Sequence, residues 1–134
     1  MKISKNINFN VISSYLLVIL VVISLTRLWA ISLFYIFANN PEFIEKIISD
    51  RWHHYQVGII LVLLAYLLRR IQKSKLILAI GLGIFLEEWP VFLYDLGLNT
   101  NKLYHTKLDF LLIAGIVFTL YILSRGLARK HHYE

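Results

Sequence analysis

The sequence contains no cysteine and has few charged residues. Its 134 residues include no Cys, and Asp, Glu, Lys and Arg together make up only 16%. The absence of cysteine excludes disulfides, thiolate metal sites and cysteine nucleophiles. Soluble domains are about 25% charged, whereas this chain is 58% hydrophobic with a mean hydropathy of +0.65. The composition therefore predicts a membrane protein whose main partner is the lipid bilayer.

The net charge of +6 does not indicate nucleic-acid binding. The Lys and Arg residues flank apolar runs and are not gathered into a patch with stacking aromatic residues, as a nucleic-acid interface requires. Basic residues at the ends of apolar runs are typical of membrane topology. We therefore expect no nucleic-acid partner.

Four apolar segments approach the ~20 residues that a helix needs to span the hydrocarbon core. They predict an all-α integral membrane four-helix bundle in a single domain over 1–134, with spans at about 10–38, 54–70, 76–98 and 106–125. After the first span, Asn40 is a good N-cap and Pro41 suits the first helical position. In the residues that follow, apolar side chains fall on one face of a helix and polar side chains on the other, which predicts a short amphipathic helix at about 41–51, lying on the outer interface.

The distribution of basic residues predicts the orientation. Nine Lys and Arg residues fall in the two terminal segments and the loop between the second and third spans, and four fall on the opposite side. The positive-inside rule then places both termini in the cytoplasm. We expect a multi-pass protein of the plasma membrane.

The third apolar segment contains two adjacent carboxylates, Glu87 and Glu88, followed by Trp89 and Pro90. An ionisable residue at membrane depth costs a few kcal/mol on insertion scales. Pro90 has no N–H to donate to Leu86, so the helix should loosen beside the acid pair. We expect one glutamate to face the bundle interior and the other to lean toward an adjacent helix, with Glu88 the better candidate for a site.

Ionisable residues of all four spans share one depth. Counting about 1.5 Å per residue from the cytoplasmic end of each predicted helix places these residues at roughly 18–26 Å. Asp95 and His105 come out nearer the outer surface. Asp109 lies four residues after His105, so both can face one point. The candidate site layer consists of Arg27, His53, His54, Glu87, Glu88, Asp95, His105 and Asp109.

Two interpretations of this layer stay open. In one, Arg27 pairs with Glu87 or Glu88 in a structural ion pair. In the other, a divalent metal (zinc, iron or copper) is bound by two imidazoles and two carboxylates, with a position open to water or substrate. The predicted metal ligands are His54, Glu88, His105 and Asp109. Hydrolytic and oxidative chemistry are both open, so the sequence does not decide whether the protein is an enzyme.

Two further functions are alternatives. A titratable glutamate among aromatic residues is typical of small proton-coupled transporters, and a chain of this size would then have to act as a homodimer. Alternatively, the protein is a non-catalytic subunit of a larger membrane complex, with the charged layer as an assembly device.

Two sequence motifs in neighbouring predicted spans resemble motifs of known membrane proteins. These are His53-His54-Tyr55-Gln56-Val57-Gly58, which opens the second span, and Gly81-Leu82-Gly83-Ile84-Phe85-Leu86-Glu87-Glu88 in the third. Over about Trp52–Asp109 the chain resembles a group of uncharacterised prokaryotic membrane proteins. Those have a His-His-aromatic helix start, a glycine-spaced helix and a paired acid, commonly Asp-Glu rather than Glu-Glu. The resemblance implies that His54 and Glu88 belong to one constellation, and it implies no activity.

Overall fold

The computed structural model of the chain describes residues 8–49, 53–100 and 107–130, and all regular structure in these ranges is helical. The prediction of an all-α protein is confirmed for this part of the chain. The helices are α1 Phe9–Ile36, α2 Pro41–Ser49, α3 His54–Leu67, α4 Ser74–Glu87, α5 Trp89–Asp95 and α6 Lys107–Lys130.

Two segments, Phe9–Ile36 and Asp109–Arg129, are long and apolar enough to cross a membrane as unbroken helices. The helix α3 is apolar but has 14 residues, or about 21 Å of helix. A hydrocarbon core is about 30 Å thick, so α3 needs the turns that follow it to reach across. These features are compatible with a membrane protein.

The third predicted span is not one helix. It consists of α4 and α5, which meet at Glu88 with a bend of 67°. The expected loosening of the backbone before Pro90 is therefore confirmed, and it amounts to a complete break. The physical cause is that the ring of Pro90 cannot continue the hydrogen-bond ladder of α4.

The long helices lie in the spatial order α3, α4, α1, α6. The helix α4 packs against α3 on one side and α1 on the other, and α1 also packs against α6. Ile19, Ile23, Ala79 and Val117 form the buried hydrophobic cluster where α1 meets α4 and α6. Many large apolar side chains on the outer faces of these helices are exposed. Extensive exposed apolar surface indicates contact with lipid or with other protein.

Glycines let α3 and α4 pack with their backbones in contact. A Cβ atom on Gly58 would lie 2.6 Å from the backbone nitrogen of Phe85, and one on Gly81 would lie 2.9 Å from the carbonyl oxygen of Gly58. Small residues permit this close approach of two helices. The contact places the first turn of α3 beside the last turn of α4, where the acid pair lies.

The short helix α2 begins as the sequence predicts. The side-chain oxygen of Asn40 accepts a hydrogen bond from the backbone N–H of Phe43 at 3.1 Å. Pro41 is the first helical residue, and Glu42 lies in the first turn. The ring of Phe43 packs on that of Phe37, with centroids 4.0 Å apart. This contact fixes the connection between α1 and α2.

Candidate functional site

The break between α4 and α5 positions the two glutamates. Glu87 ends α4, and Glu88 lies at the junction with φ −109° and ψ 23°, outside both helices. The carbonyl oxygen of Glu88 accepts a hydrogen bond from Val91, and the hydroxyl of Thr100 donates to the carbonyl oxygen of Pro90 at 2.6 Å. The break is therefore held on its α5 side by hydrogen bonds, and both carboxylates are buried beside it.

Arg27 of α1 bridges two carboxylates from two other helices. Its Nε atom lies 3.0 Å from Oε1 of Glu87, and its Nη2 atom donates a hydrogen bond to Oδ2 of Asp109 at 3.0 Å. The Nε contact is an ion pair that is not aligned as a hydrogen bond. The carboxylate side chains are only 3% and 1% exposed. This cluster, which we call the Arg27 bridge, ties α1, α4 and α6 together.

The second glutamate faces α3 instead. Oε2 of Glu88 accepts a hydrogen bond from the backbone N–H of Tyr55 at 3.0 Å, and its Oε1 lies 3.5 Å from Nδ1 of His54. The N-cap residue of α3, His53, makes no side-chain capping hydrogen bond. Glu88 therefore supplies the cap from the junction of α4 and α5, and its negative charge also suits the positive end of the α3 dipole.

The ligand atoms of three side chains lie close together at the break. His54, Glu87 and Glu88 each offer one such atom, and these atoms lie within 4.8 Å of one another. Nδ1 of His54 and Oε2 of Glu87 are buried and have no hydrogen-bond partner. Buried polar atoms are almost always hydrogen-bonded, so two unpartnered ones in the same cluster point to a ligand. We call these three residues the His54 cluster.

The structure brings together most of the candidate residues, but in two clusters. Glu87 belongs to both. Asp109 lies in the Arg27 bridge, where its second oxygen also accepts a hydrogen bond from the backbone of Phe110. The structure differs here from the predicted metal ligands, since Glu87 rather than Asp109 lies with His54 and Glu88. The reason is that both oxygens of Asp109 are engaged, by Arg27 and by the backbone N–H of Phe110, whereas Arg27 engages only Oε1 of Glu87 and leaves its Oε2 without a partner.

The remaining candidates lie at the edge of the site or outside it. His53 stacks on the ring of Tyr55 with centroids 5.8 Å apart and is not part of the His54 cluster. Asp95 accepts a hydrogen bond from the hydroxyl of Tyr55 at 2.5 Å. His105 lies outside the described residues, so its predicted role as a ligand stays a prediction.

Tyr55 is the residue that sequence reasoning missed. Its backbone N–H donates to Glu88 and its hydroxyl donates to Asp95, so it connects α3 to the break and to α5. A signal was present in the sequence. The first N–H groups of any helix lack intrahelical partners, and α3 has no good N-cap residue of its own.

An apolar groove opens beside His54. It lies between α1 and α3, with α4 behind it, and has a volume of about 350 Å³. Its lining residues are Leu25, Thr26, Trp29, His54, Val57 and Ile84. His54 therefore belongs both to the groove and to the buried cluster at the break.

Comparison of the chain with family models, with curated proteins and with solved structures returns no match. The resemblance of residues 52–109 to prokaryotic membrane proteins therefore stays a prediction. The interpretation of the site depends on its own geometry and charge.

Proposed function

We propose that this chain is a four-span protein of the plasma membrane that binds a divalent cation at the break in its third span. The spans are α1, α3 with the turns after it, the bent pair α4–α5, and α6. The two unbroken apolar helices, the apolar α3 and the extensive exposed apolar surface support this topology. The distribution of Lys and Arg supports cytoplasmic termini.

The excess of buried carboxylates over permanent cations is the observation that carries the proposal. Among the described residues, the ion pairs of Glu87, Glu88 and Asp109 include one permanent cation, Arg27. With His54 neutral, three carboxylates and one guanidinium leave two negative charges. Uncompensated charge in a membrane interior is costly. One divalent cation would bring the site to neutrality.

The geometry of the His54 cluster supports a cation rather than a direct hydrogen bond. The 3.5 Å between Nδ1 of His54 and Oε1 of Glu88 is long for a charge-assisted hydrogen bond. Two ligands held about 2.1 Å from one zinc ion in a tetrahedral site lie about 3.4 Å apart. One imidazole and two carboxylates suit zinc, iron or copper. Three protein ligands leave a fourth position for water or for an oxygen of a substrate.

The broken helix also favours a cation. The carboxyl end of a helix carries partial negative charge, and α4 ends at Glu87 inside the apolar region. Discontinuous membrane helices recur at the ion and substrate sites of transporters for this reason. The break, the two carboxylates and the imidazole thus point to one ligand class.

Zinc titration tests the proposal. The detergent-solubilised protein is titrated with Zn²⁺ by calorimetry, and the purified protein is analysed for bound zinc, iron and copper. We expect one ion per chain. His54→Ala should bind zinc more than about tenfold more weakly, since loss of even an outer-shell partner can reduce metal affinity by that factor.

The neighbouring histidine provides a matched control. His53→Ala also removes a histidine side chain, but His53 lies outside the His54 cluster although it is the adjacent residue. We expect its zinc affinity to equal that of the unsubstituted protein. Absence of stoichiometric metal, or equal losses in the two variants, would contradict the proposal.

Proton-coupled transport is the second candidate function. Two protons would neutralise the two negative charges as well as one divalent ion does, and the break favours this function too. The chain would then act as a homodimer. In vesicles with an imposed potential, Glu88→Gln should abolish proton flux, whereas Glu45→Gln on the exposed surface of α2 should not. Equal flux in both variants would exclude this function for Glu88.

A non-catalytic role in a larger membrane complex is the third candidate. The Arg27 bridge alone would suffice for it, since the bridge ties three helices together without any ligand. This role predicts that no metal binds and that no proton flux depends on Glu88.

A further inference from the structure

The groove beside His54 is accessible from the apolar surface of the molecule. Leu25 and Trp29 on its α1 wall are 60% and 61% exposed, and Val57 on its α3 wall is 44% exposed. Its volume of about 350 Å³ lies at the lower end of the range for small-molecule sites. In a four-span protein these walls face the hydrocarbon, so molecules dissolved in the bilayer can reach the groove.

The polar groups of the groove are unevenly distributed. Leu25, Val57 and Ile84 are apolar, and the hydroxyl of Thr26 donates to the carbonyl oxygen of Val22 within its own helix. His54 is therefore the lining residue that connects the groove to the buried carboxylates. A groove that is apolar along its length and has a residue of the cation site, His54, in its wall matches a molecule with a tail and a head.

We infer that the groove binds the chain of a neutral, single-tailed amphiphile whose head oxygen occupies the fourth position of the cation. This inference rests on the proposed cation site. The charge of the site selects a neutral head, because one divalent ion already balances the two negative charges. An anionic head would leave a charge uncompensated in the membrane. The small volume selects a single chain, because a two-chain lipid would need a larger groove.

A photoactivatable long-chain alcohol tests this inference. The probe is hexadecanol with a mid-chain diazirine, added at low mole fraction to lipid nanodiscs that contain the full chain, with Zn²⁺ or with EDTA. Labelled positions are mapped by mass spectrometry. We expect saturable labelling of Leu25, Trp29 and Val57. It should be about tenfold stronger with Zn²⁺, as expected for one added ligand contact. The matching fatty acid should compete more weakly than unlabelled hexadecanol.

Two substitutions on α3 form a matched pair. Val57→Trp fills the groove, whereas Leu63→Trp adds the same ring to an exposed position of α3 that does not line the groove. We expect the first to lose most of the labelling and the second to keep it. Leu25→Trp fills the groove from α1 and provides a second blocking variant should Val57→Trp fail to fold. Calorimetry measures zinc binding for every variant.

The outcomes separate the inference from the proposed function. If zinc binds stoichiometrically but labelling is spread evenly over the exposed faces of α1, α3 and α6, the inference is overturned and the cation site stands. If the unsubstituted protein binds no metal, the proposed function is overturned, and the placement of the head on a cation is overturned with it. Groove labelling that does not respond to zinc likewise overturns that placement.

Discussion

The two adjacent glutamates lie in different surroundings, although both are buried and one peptide bond separates them. Glu87 is paired with the guanidinium of Arg27, which Asp109 also contacts at 3.0 Å. Glu88 faces a helix N-terminus and the imidazole of His54, without a permanent cation among its described partners. The Arg27 bridge is held together by its own charges, whereas the side of the acid pair that faces His54 has two buried ligand atoms without partners, Nδ1 of His54 and Oε2 of Glu87.

This difference separates a structural role from a binding role. A carboxylate oxygen that is paired with Arg27 contributes to packing, because the protein itself supplies the opposite charge, whereas Oε2 of Glu87 has no such partner and belongs to the His54 cluster. Glu88, by contrast, has an imidazole and the N-terminus of α3 as its described partners, and the proposed cation would complete its surroundings. The break at Glu88 makes the difference possible, since it allows consecutive side chains to face α1 and α3.

Loss of the arginine should have the largest effect. Arg27→Leu leaves Glu87 and Asp109 as buried carboxylates without a partner, so we expect the free energy of unfolding to fall by about 3–5 kcal/mol. The measurement is chemical or thermal unfolding in detergent. Arg69→Leu is the control, because Arg69 is exposed and lies 5.2 Å from the ring of Tyr66.

The control substitution should cost less than about 1 kcal/mol, as surface charges and exposed cation–π contacts do. Combining Arg27→Leu with Glu87→Gln and Asp109→Asn should recover much of the lost stability. Equal losses in Arg27→Leu and Arg69→Leu would contradict the structural role of the Arg27 bridge.

Substitution of Gly58 should have the next largest effect on stability. This residue lies in the contact of α3 with α4, on the side of the acid pair that faces His54. A Cβ on Gly58 would lie 2.6 Å from a backbone nitrogen of α4, which cannot rotate away. We expect Gly58→Ala to reduce the free energy of unfolding by about 1–3 kcal/mol. It should also weaken zinc binding, because it moves His54 away from Glu88.

Gly115 of α6 is the matched control. A Cβ at this position would meet nothing within 4 Å, so Gly115→Ala should be neutral or stabilise by up to about 1 kcal/mol through helix propensity. If both alanine variants behave alike in unfolding, the close contact of α3 with α4 does not limit stability.

Removal of the Tyr55 hydroxyl should have the smallest effect on the free energy of unfolding. Tyr55→Phe removes the hydrogen bond to Asp95 and leaves the backbone bond to Glu88 in place. We expect a loss of about 1 kcal/mol in unfolding free energy, the usual contribution of one hydrogen bond. Tyr66→Phe, at an exposed position of the same helix, is the control. If Tyr55→Phe lost as much unfolding free energy as Arg27→Leu, the contacts of α3 with Glu88 and Asp95 would also be a structural network.

Much of the fold could be predicted from local sequence signals. Mean hydropathy and length identify α1 and α6, Asn40 and Pro41 mark the start of α2, and Pro90 marks the break in the third span. Each of these features depends on a single helix or turn. Residue counting along each helix likewise placed Arg27 and the acid pair at a common depth, because the rise per residue is nearly constant.

The partners of each charge could not be predicted in the same way. The sequence left Arg27 with either glutamate and placed Asp109 among the metal ligands, whereas the structure pairs Arg27 with Glu87 and Asp109. Depth along a helix follows from counting, but the direction of a side chain around the helix changes by about 100° per residue. A small rotation, or a bend of 67°, is enough to exchange partners.

The sequence by itself determined that this protein is helical and apolar, and that it carries ionisable residues at one depth beside a proline break. The tertiary structure alone decided that Glu87 joins the Arg27 bridge while Glu88 caps α3 and faces His54. The physical reason is that these contacts join residues from different helices. Their geometry depends on how α1, α3 and α6 pack around α4, which no local pattern encodes.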